Sequence, residues 1–299
     1  QLGDLSFRGK QYAQSAEAYH QLNQRYPADL RIPESRLPWS WSLYYADMPA
    51  DALRLAGEAL ATAAVTNDST VHAEWLYVKA NCQRQLLDHA GAVATYSLLL
   101  KQYPKNRYAA AAGYEKTLTL YKLGLFQEAV AQGKPLLSDA QNRTDLYWLM
   151  AESYAALKQD PEAIQYYRLL KEKAPDSPLA VEAAYRLARL LQKREDFMAA
   201  AELYDQLAAG HGEHELAPQA LYSAAICFSK AAHHEEAVRD WSQLIQKYPQ
   251  QALVEDALYQ KAMSEIFLHR DDQAIVSLRE LLKGFGQTRF AAESHFWLV

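Results

Sequence analysis

The pattern of apolar and polar residues predicts helices along the chain. Between residues 145 and 175, apolar side chains recur three and four residues apart in two short segments, which is the spacing of one face of an α-helix. Residues 158–161 separate the two segments. We interpret Asp160 as the N-cap of the second helix, because its carboxylate can accept from free amides, and Pro161 as its first helical residue. Pro175 ends that helix, so the stretch predicts a helix pair.

The same helix pair recurs through the sequence. A small residue that begins the inner turn of the second helix returns at steps of 34 to 40 residues, most often 37, at Ser15, Ala52, Ala92, Ala129, Ala163, Ala200, Ala237 and Ala274. One helix pair cannot bury its apolar stripe alone, whereas stacked copies bury the stripes of their neighbours. We therefore predict an all-α fold built from repeated helix pairs.

The repeats are expected to form a single array over residues 1–299. Their approximate limits are 1–27, 36–64, 71–104, 107–140, 143–175, 178–212, 216–249 and 252–286, with a partial copy at 289–299. Residues 28–35 are predicted to be a connector before a first helix at 36–46. Gly133 and Pro135 weaken the second helix of the fourth copy. Because the sequence begins inside one repeat and ends inside another, we expect a fragment of a longer protein, or ends that pack on something else.

This pattern resembles the tetratricopeptide repeat (TPR). Members of that family carry a large, a small and an aromatic residue on the first helix, alanine and an aromatic residue on the second, and a final proline. The fifth copy matches with Tyr147, Met150, Ala151, Tyr154, Ala163, Tyr167, Leu170 and Pro175. The seventh copy matches with Leu221, Ala224, Ala225, Phe228, Ala237, Trp241, Leu244 and Pro249. The resemblance implies a right-handed α-solenoid (superhelix) of about eight TPR-like helix-turn-helix repeats, which serves as a scaffold for a protein or peptide partner.

A narrower resemblance is to bacterial cell-envelope repeat proteins, such as the Tol-Pal-associated periplasmic protein and the outer-membrane assembly lipoprotein. Their repeats are near 37 residues and end in Tyr-Pro before an Ala-x-x-Ala-Leu-Tyr segment, and residues 174–185 and 216–222 are similar. This resemblance implies a periplasmic or outer-membrane-associated protein that holds envelope proteins together. A cytoplasmic location stays open, because a removed export signal leaves no trace.

A series of aromatic residues marks the candidate site. One first-helix position next to the core holds Tyr77, Tyr114, Trp148, Tyr185, Tyr222, Tyr259 and Phe296, which we call the aromatic ladder. Tyrosine combines apolar area with one hydroxyl and suits peptide binding. We predict that the ladder lines a concave groove with Asn81 and Arg189. Neighbouring groove positions lean acidic, which favours basic or polar partners. The alternative is that these rings pack between neighbouring helices and are structural.

Other functional classes find little support in the sequence. The formal net charge of −5 and pI near 6 do not suit a nucleic-acid partner, which requires a basic surface. No apolar run is long enough to form a transmembrane segment. His211 and His214 lie in a glycine loop without other ligands at metal-binding spacing.

Sequence motifs for a phosphate loop, a serine nucleophile or a dinucleotide site are also absent. We therefore expect a non-enzymatic protein without a metal or another cofactor. The alternative is the repeat portion of a larger multidomain enzyme or regulator whose catalytic or effector domain lies outside this sequence.

Overall fold

The computed structural model describes residues 2–30, 32–62, 68–138 and 143–299 of the chain. Over these ranges it consists of α-helices joined by short turns, with one 3-10 segment and no β-strand. The predicted all-α fold is confirmed. The predicted ends of the second and fourth repeats, at residues 64 and 140, lie outside the described residues.

The helices fall into two compact units that meet in sequence inside the predicted fifth repeat. The first unit is Gln1–Leu157 and the second is Lys158–Val299. In its described part the first unit contains α1 (Leu2–Arg8), α2 (Tyr12–Arg25), α3 (Ile32–Tyr45), α4 (Pro49–Leu60), α5 (Ser69–Gln85), α6 (His89–Gln102), α7 (Ala109–Lys122), α8 (Phe126–Gly133), a 3-10 segment (Lys134–Ser138) and α9 (Arg143–Ala156). The second unit contains α10 (Asp160–Lys173), α11 (Pro178–Lys193), α12 (Phe197–Gly210), α13 (Ala217–Lys230), α14 (His234–Lys247), α15 (Leu253–Phe267), α16 (Asp271–Gly284) and α17 (Ala291–Trp297).

Within each unit, a helix packs chiefly against the helix before it and the helix after it in the sequence. Such nearest-neighbour packing of helix pairs is what defines an α-solenoid. The predicted class, a solenoid of TPR-like helix pairs, is therefore confirmed. That the whole chain forms one continuous array stays a prediction.

The small residues that revealed the repeat are the most deeply buried positions of the second helices. No surface of Ala52, Ala92, Ala129, Ala163, Ala200 or Ala237 is exposed. Ser15 takes the same place in the first copy, where its hydroxyl bonds the carbonyl of Gly3 and the hydroxyl of Ser42, each at 2.8 Å. A buried polar group needs such partners, so the serine is compatible with the core.

The fourth copy departs from the pattern for a reason visible in its packing. Its second helix ends at Gly133 and continues as the 3-10 segment, because Pro135 has no N–H to donate to a helical hydrogen bond. A side chain at Gly133 would meet Thr117 at 3.0 Å and the sulfur of Met150 at 3.1 Å. An added side chain would therefore have to displace Thr117 or Met150, and the buried Met150 fills the core space that a large residue takes in other copies.

The turn within each pair contains one residue with a left-handed backbone. These residues have φ between 57° and 74° and are Lys10, Asp47, Leu87, Gly124, Lys158, Glu195, Ala232 and His269. In seven of these turns the N–H of the next residue bonds a carbonyl five residues earlier, as from Asp88 to Gln83 at 2.8 Å, which closes the end of the first helix. Only one of the eight is glycine, so the usual sequence signal for this turn is missing.

The turn geometry corrects the predicted start of α10. The helix begins at Asp160, so Gln159 occupies the N-cap position without a side-chain hydrogen bond. Asp160 is therefore not the N-cap, because the left-handed Lys158 places the cap one residue earlier. The carboxylate of Asp160 instead forms an ion pair with Lys193 at 2.8 Å.

The predicted connector at 28–35 is also shorter in the structure. Helix α3 begins at Ile32, four residues before the predicted start. Pro33 lies in its first turn, where the missing N–H has no helical partner to lose. Prolines in a sequence therefore mark a helix start as readily as a connector.

One carboxylate of the second unit is buried with incomplete pairing. Asp240 of α14 has no exposed surface. Its Oδ1 accepts from Arg239 at 2.8 Å, and no described residue donates to its Oδ2. Burial, reinforced by the charge of Asp205, raises the pKa of Asp240 to about 7 against the weaker opposing effect of Arg239. In two other helix pairs the residue equivalent to Asp240 carries a hydroxyl that donates to the first helix, as Ser277 does to Glu265. The equivalent first-helix residue opposite Asp240 is the buried Phe228, which offers no polar group.

The left-handed turns predict opposite effects of two substitutions. Gly124→Ala should lower the free energy of unfolding by about 1 kcal/mol, because alanine is strained at positive φ. Nothing lies within 4 Å of an added side chain there, so the loss would come from the backbone alone. Leu87→Gly should raise the free energy of unfolding by roughly 0.5 kcal/mol, because the backbone of Leu87 is left-handed and its side chain is 76% exposed. Urea unfolding followed by circular dichroism tests both, and a loss of stability in Leu87→Gly would contradict the account.

The buried carboxylate predicts a pH-dependent gain in stability. The folded pKa of Asp240 lies above its ordinary value of 3.8, so the parent chain loses stability as the pH rises from about 4 to 7. Asp240→Asn should remove this loss. The free energy of unfolding of this variant should equal that of the parent chain below pH 4 and exceed it by about 1 to 4 kcal/mol above pH 7. Unfolding is measured from pH 3.5 to 8, with Glu280→Gln at an exposed position as the control. A difference between Asp240→Asn and the parent chain that does not change with pH would show that the buried charge is not its cause.

Candidate functional site

The first helices of the pairs form one surface of each unit, which we call the first-helix surface. In the first unit the ladder residues Tyr77, Tyr114 and Trp148 lie half-buried on it. The ring of Tyr77 tilts against that of Tyr96 on the second helix of its own pair, with centroids 6.3 Å apart. Burial raises the pKa of Tyr77 and of Tyr114 to about 12, and for Tyr114 the charge of Asp145 adds to it. These phenols therefore stay protonated and can donate.

The ladder of the second unit follows the same plan. Tyr185 contacts Tyr204 edge-on with centroids 5.4 Å apart, and Tyr222 contacts Trp241 in the same way at 5.2 Å. Each contact joins a first helix to the second helix of its own pair. One edge of each ring is thus part of the packing, and the half-buried ring leaves its remainder at the surface.

Charged residues lie beside the hydroxyls of two ladder rings, Tyr222 and Tyr185. Tyr222 donates to the carboxylate of Asp256, which belongs to the next first helix. Burial raises the pKa of Tyr185, while the positive charge of Arg189 beside it acts in the opposite direction. Arg189 is exposed, as the predicted groove position requires, and Phe296 at the end of the ladder is 74% exposed.

Asn81 does not lie where the sequence prediction put it. Only 4% of its surface is exposed, and its Oδ1 accepts from the hydroxyl of Tyr96 at 2.6 Å. The helix turns this position toward the second helix of the same pair rather than toward solvent. We therefore remove Asn81 from the candidate binding residues and assign it to the core.

A second set of rings on the first unit shares Tyr77 with the aromatic ladder, and its other members were not predicted as a site. Successive ring contacts of 5.0 to 6.0 Å join Phe7, Tyr12, Tyr45, Trp41, Tyr77 and Tyr108. We call this set the aromatic strip. Its members come from several helix pairs and from different positions within them, so no fixed spacing reveals it. Four aromatic residues lie between positions 39 and 45 of the sequence, but in the structure Trp39 contacts His20 instead of joining the strip.

A cavity of about 270 Å³ opens beside the aromatic strip. Phe7, Leu37, Pro38 and Trp41 supply its apolar wall, and Asp4 and Glu74 supply carboxylates. The indole N–H of Trp41 donates to Glu74 at 3.0 Å, and Tyr19 donates to Asp4 at 2.5 Å. Apolar walls with a few fixed polar groups are what a side chain of a bound partner requires.

Metal-ligand clusters and membrane-spanning helices are both absent from the described part of the chain. Among the described residues, no group of three His, Cys, Asp or Glu side chains is placed to hold a metal ion. None of the described helices is both long and apolar enough to cross a membrane.

Comparisons with known families identify the repeat. Two family models described as tetratricopeptide repeat match the chain, one at residues 1–29 and 145–177 and the other at 37–107 and 185–252. Together they cover about two thirds of the sequence. No curated protein matches the chain.

Solved structures share the fold at low sequence identity. The C-terminal part of a TPR repeat-containing protein from Cytophaga hutchinsonii is 14% identical, with a TM-score of 0.60 over 86% of this chain and 98% of that chain. A tetratricopeptide repeat protein from Parabacteroides merdae is 18% identical, with a TM-score of 0.50 over 71% of this chain and 79% of that chain. YrrB, described as a TPR protein with an unusual peptide-binding site, is 18% identical, with a TM-score of 0.50 over 64% of this chain and 92% of that chain.

The repeat spacing, the nearest-neighbour packing of helix pairs and these matches agree. The chain belongs to the tetratricopeptide repeat family, whose helix pairs form scaffolds for protein–protein interaction.

Proposed function

We propose that the protein binds a peptide or protein partner on its first-helix surface, with the aromatic ladder as the main contact. The observation that carries this proposal is the half-buried state of the ladder rings. A purely structural aromatic residue would be buried like Tyr96, Tyr204 or Trp241, none of which has exposed surface. The ladder rings keep surface available although they lie next to those residues.

The ladder is suited to binding because its rings are already held in place. Tyr185 and Tyr222 are fixed by edge-on contacts, and the hydroxyl of Tyr222 is fixed by Asp256. Ordering a free side chain on binding costs about 0.5–1.5 kcal/mol, and rings fixed beforehand avoid much of that cost. Aromatic anchors of this kind often dominate the affinity of an interface.

The described peptide-binding site of YrrB supports the same use of a TPR surface, although its resemblance to this chain concerns the fold alone. The chemistry of the surface favours a partner with both apolar and polar groups. Rings supply apolar area, while Arg189 and Asp256 supply charges of opposite sign. Such a surface selects a partner by matching charge and shape rather than by apolar area alone.

We further propose that the protein works in a bacterial cell envelope. Support comes from repeats near 37 residues and from the segments at 174–185 and 216–222, which are similar to those of envelope repeat proteins. The test is fractionation of the source cell with an antibody to the chain. Recovery with periplasm or outer membrane is the expected result, and recovery with cytosol alone would overturn the location.

The ladder predicts a loss of partner binding without a loss of fold. Trp148→Ala combined with Tyr185→Ala should weaken the affinity for a partner captured from envelope and cytosolic extracts by at least about tenfold. Affinity is measured by surface plasmon resonance on the purified pair, and circular dichroism monitors the fold.

The matched control is Leu98→Ala combined with Val276→Ala, since these apolar residues are exposed on second helices away from the ladder. This control should bind the partner like the parent chain. Unchanged affinity in the ladder variant would return the ladder to a packing role.

A further inference from the structure

A short motif occurs twice in the chain at equivalent repeat positions. Residues 106–110 read Asn-Arg-Tyr-Ala-Ala and residues 288–292 read Thr-Arg-Phe-Ala-Ala. Each precedes a first helix, α7 or α17. The side chains of Asn106 and Thr288 accept the N–H of the aromatic residue two places later, at 3.0 and 3.2 Å. The backbone of both motifs is therefore fixed in the same way.

The first copy of the motif lies against the first helix α5. Arg107 places Nη2 2.6 Å from Glu74 and 2.7 Å from the hydroxyl of Tyr108, with its guanidinium carbon 4.7 Å from the centroid of that ring. The ring of Tyr108 stacks on the ladder residue Tyr77, with centroids 5.0 Å apart. The other oxygen of Glu74 accepts from Trp41. Ion pair and ring together hold the arginine in one orientation.

The second copy repeats this arrangement against α15. Arg289 places Nη2 2.8 Å from Asp256, with its guanidinium carbon 4.6 Å from the centroid of Phe290. The ring of Phe290 stacks on the ladder residue Tyr259, with centroids 4.3 Å apart and planes 7° apart. The other oxygen of Asp256 accepts from Tyr222, so an aromatic donor takes the role that Trp41 has in the first copy.

Each arginine keeps unused donors at the surface. The side chains of Arg107 and Arg289 are 65% and 72% exposed. All their hydrogen bonds to described residues use Nη2, so Nε and Nη1 have no partner among those residues. A free guanidinium N–H can donate a charge-assisted hydrogen bond to a carboxylate oxygen while Nη2 stays with the acid behind it.

Stacking of the repeats does not depend on these arginines. At the equivalent positions of three other copies the Arg-aromatic pair is replaced by Pro178-Leu179, Glu215-Leu216 and Ala252-Leu253. Those helices still pack against their neighbours within the second unit. A role in holding the repeats together therefore does not account for why two copies carry the motif.

We propose that Arg107 and Arg289 each bind an acidic side chain of the partner, with a neighbouring apolar side chain of that partner lying on the adjacent ring pair. The proposal rests on the proposed function and specifies the chemistry of the partner. Free guanidinium N–H groups require a negatively charged acceptor, so the occupant is a peptide with an aspartate or glutamate between apolar residues. At these two sites the arginines therefore depart from the acidic groove positions, which favour basic or polar partners. The acid behind each arginine does not prevent this, because it contacts only Nη2 and leaves Nε and Nη1 available for a second carboxylate.

The test uses two short probes and the full 299-residue chain. The probes are the blocked pentapeptide Gly-Leu-Asp-Leu-Gly and its neutral isostere Gly-Leu-Asn-Leu-Gly. Proton–nitrogen NMR of the arginine Nε–H groups follows the binding, with the two signals assigned from Arg107→Lys and Arg289→Lys. Lysine keeps the charge but lacks the Nε–H and Nη1–H groups, and thermal unfolding of both variants monitors the fold.

We expect the aspartate probe to shift both signals and to bind at least about tenfold more tightly than the asparagine probe. In Arg107→Lys the Arg289 signal should still respond, and the reverse should hold in Arg289→Lys, because the sites are separate. Equal binding of the two probes, or no shift of either signal, would overturn the inference.

A natural partner separates this inference from the proposed function. The double variant Arg107→Lys with Arg289→Lys should bind that partner with an affinity lower by about tenfold or more. The informative result is binding that is lost in the Trp148→Ala, Tyr185→Ala variant and unchanged in the double arginine variant. That result would support the proposed function and would overturn the carboxylate sites.

Discussion

The close approach of successive helices at small buried side chains is the constraint on which the rest of this structure depends. Ala92 and Ala200 have no exposed surface, and one turn later Tyr96 and Tyr204 are buried as completely. The small residue lets the helices come together, and the large residue fills the space that their crossing leaves. In the fourth copy Gly133 stands at the position of the large residue, and Met150 fills the space instead.

The same constraint explains the turns. Successive helices meet in register only if each first helix ends through a left-handed residue, and seven of the eight such residues carry a side chain. Each non-glycine residue there costs about 1–2 kcal/mol locally. Burial of the two helix stripes offsets this cost, so local preference yields to packing.

The candidate surface is a consequence of this packing. A ladder residue lies beside the core position of its own first helix, so its ring can reach the large residue of the second helix only with one edge. The remaining ring surface is left to solvent or to a partner. Acidic residues of an adjacent first helix then fix hydroxyl and guanidinium groups, as Asp256 does for Tyr222 of the preceding first helix and for Arg289 before the following one. Binding groups and structural groups are thus parts of the same contacts.

The sequence by itself determined the helix pair, its repeat and the position of the ladder, because helical spacing and the 37-residue step are local properties that a single chain displays. Tertiary structure alone decided which side chains face outward. Asn81 turned inward to meet Tyr96, and Asp160 lost its capping role to the turn at Lys158. The aromatic strip and the surroundings of Arg107 and Arg289 depend on contacts between residues about 30 or more positions apart, such as Trp41 with Tyr77 and Glu74 with Arg107. Such contacts depend on how neighbouring pairs stack, and no local pattern in the sequence encodes that geometry.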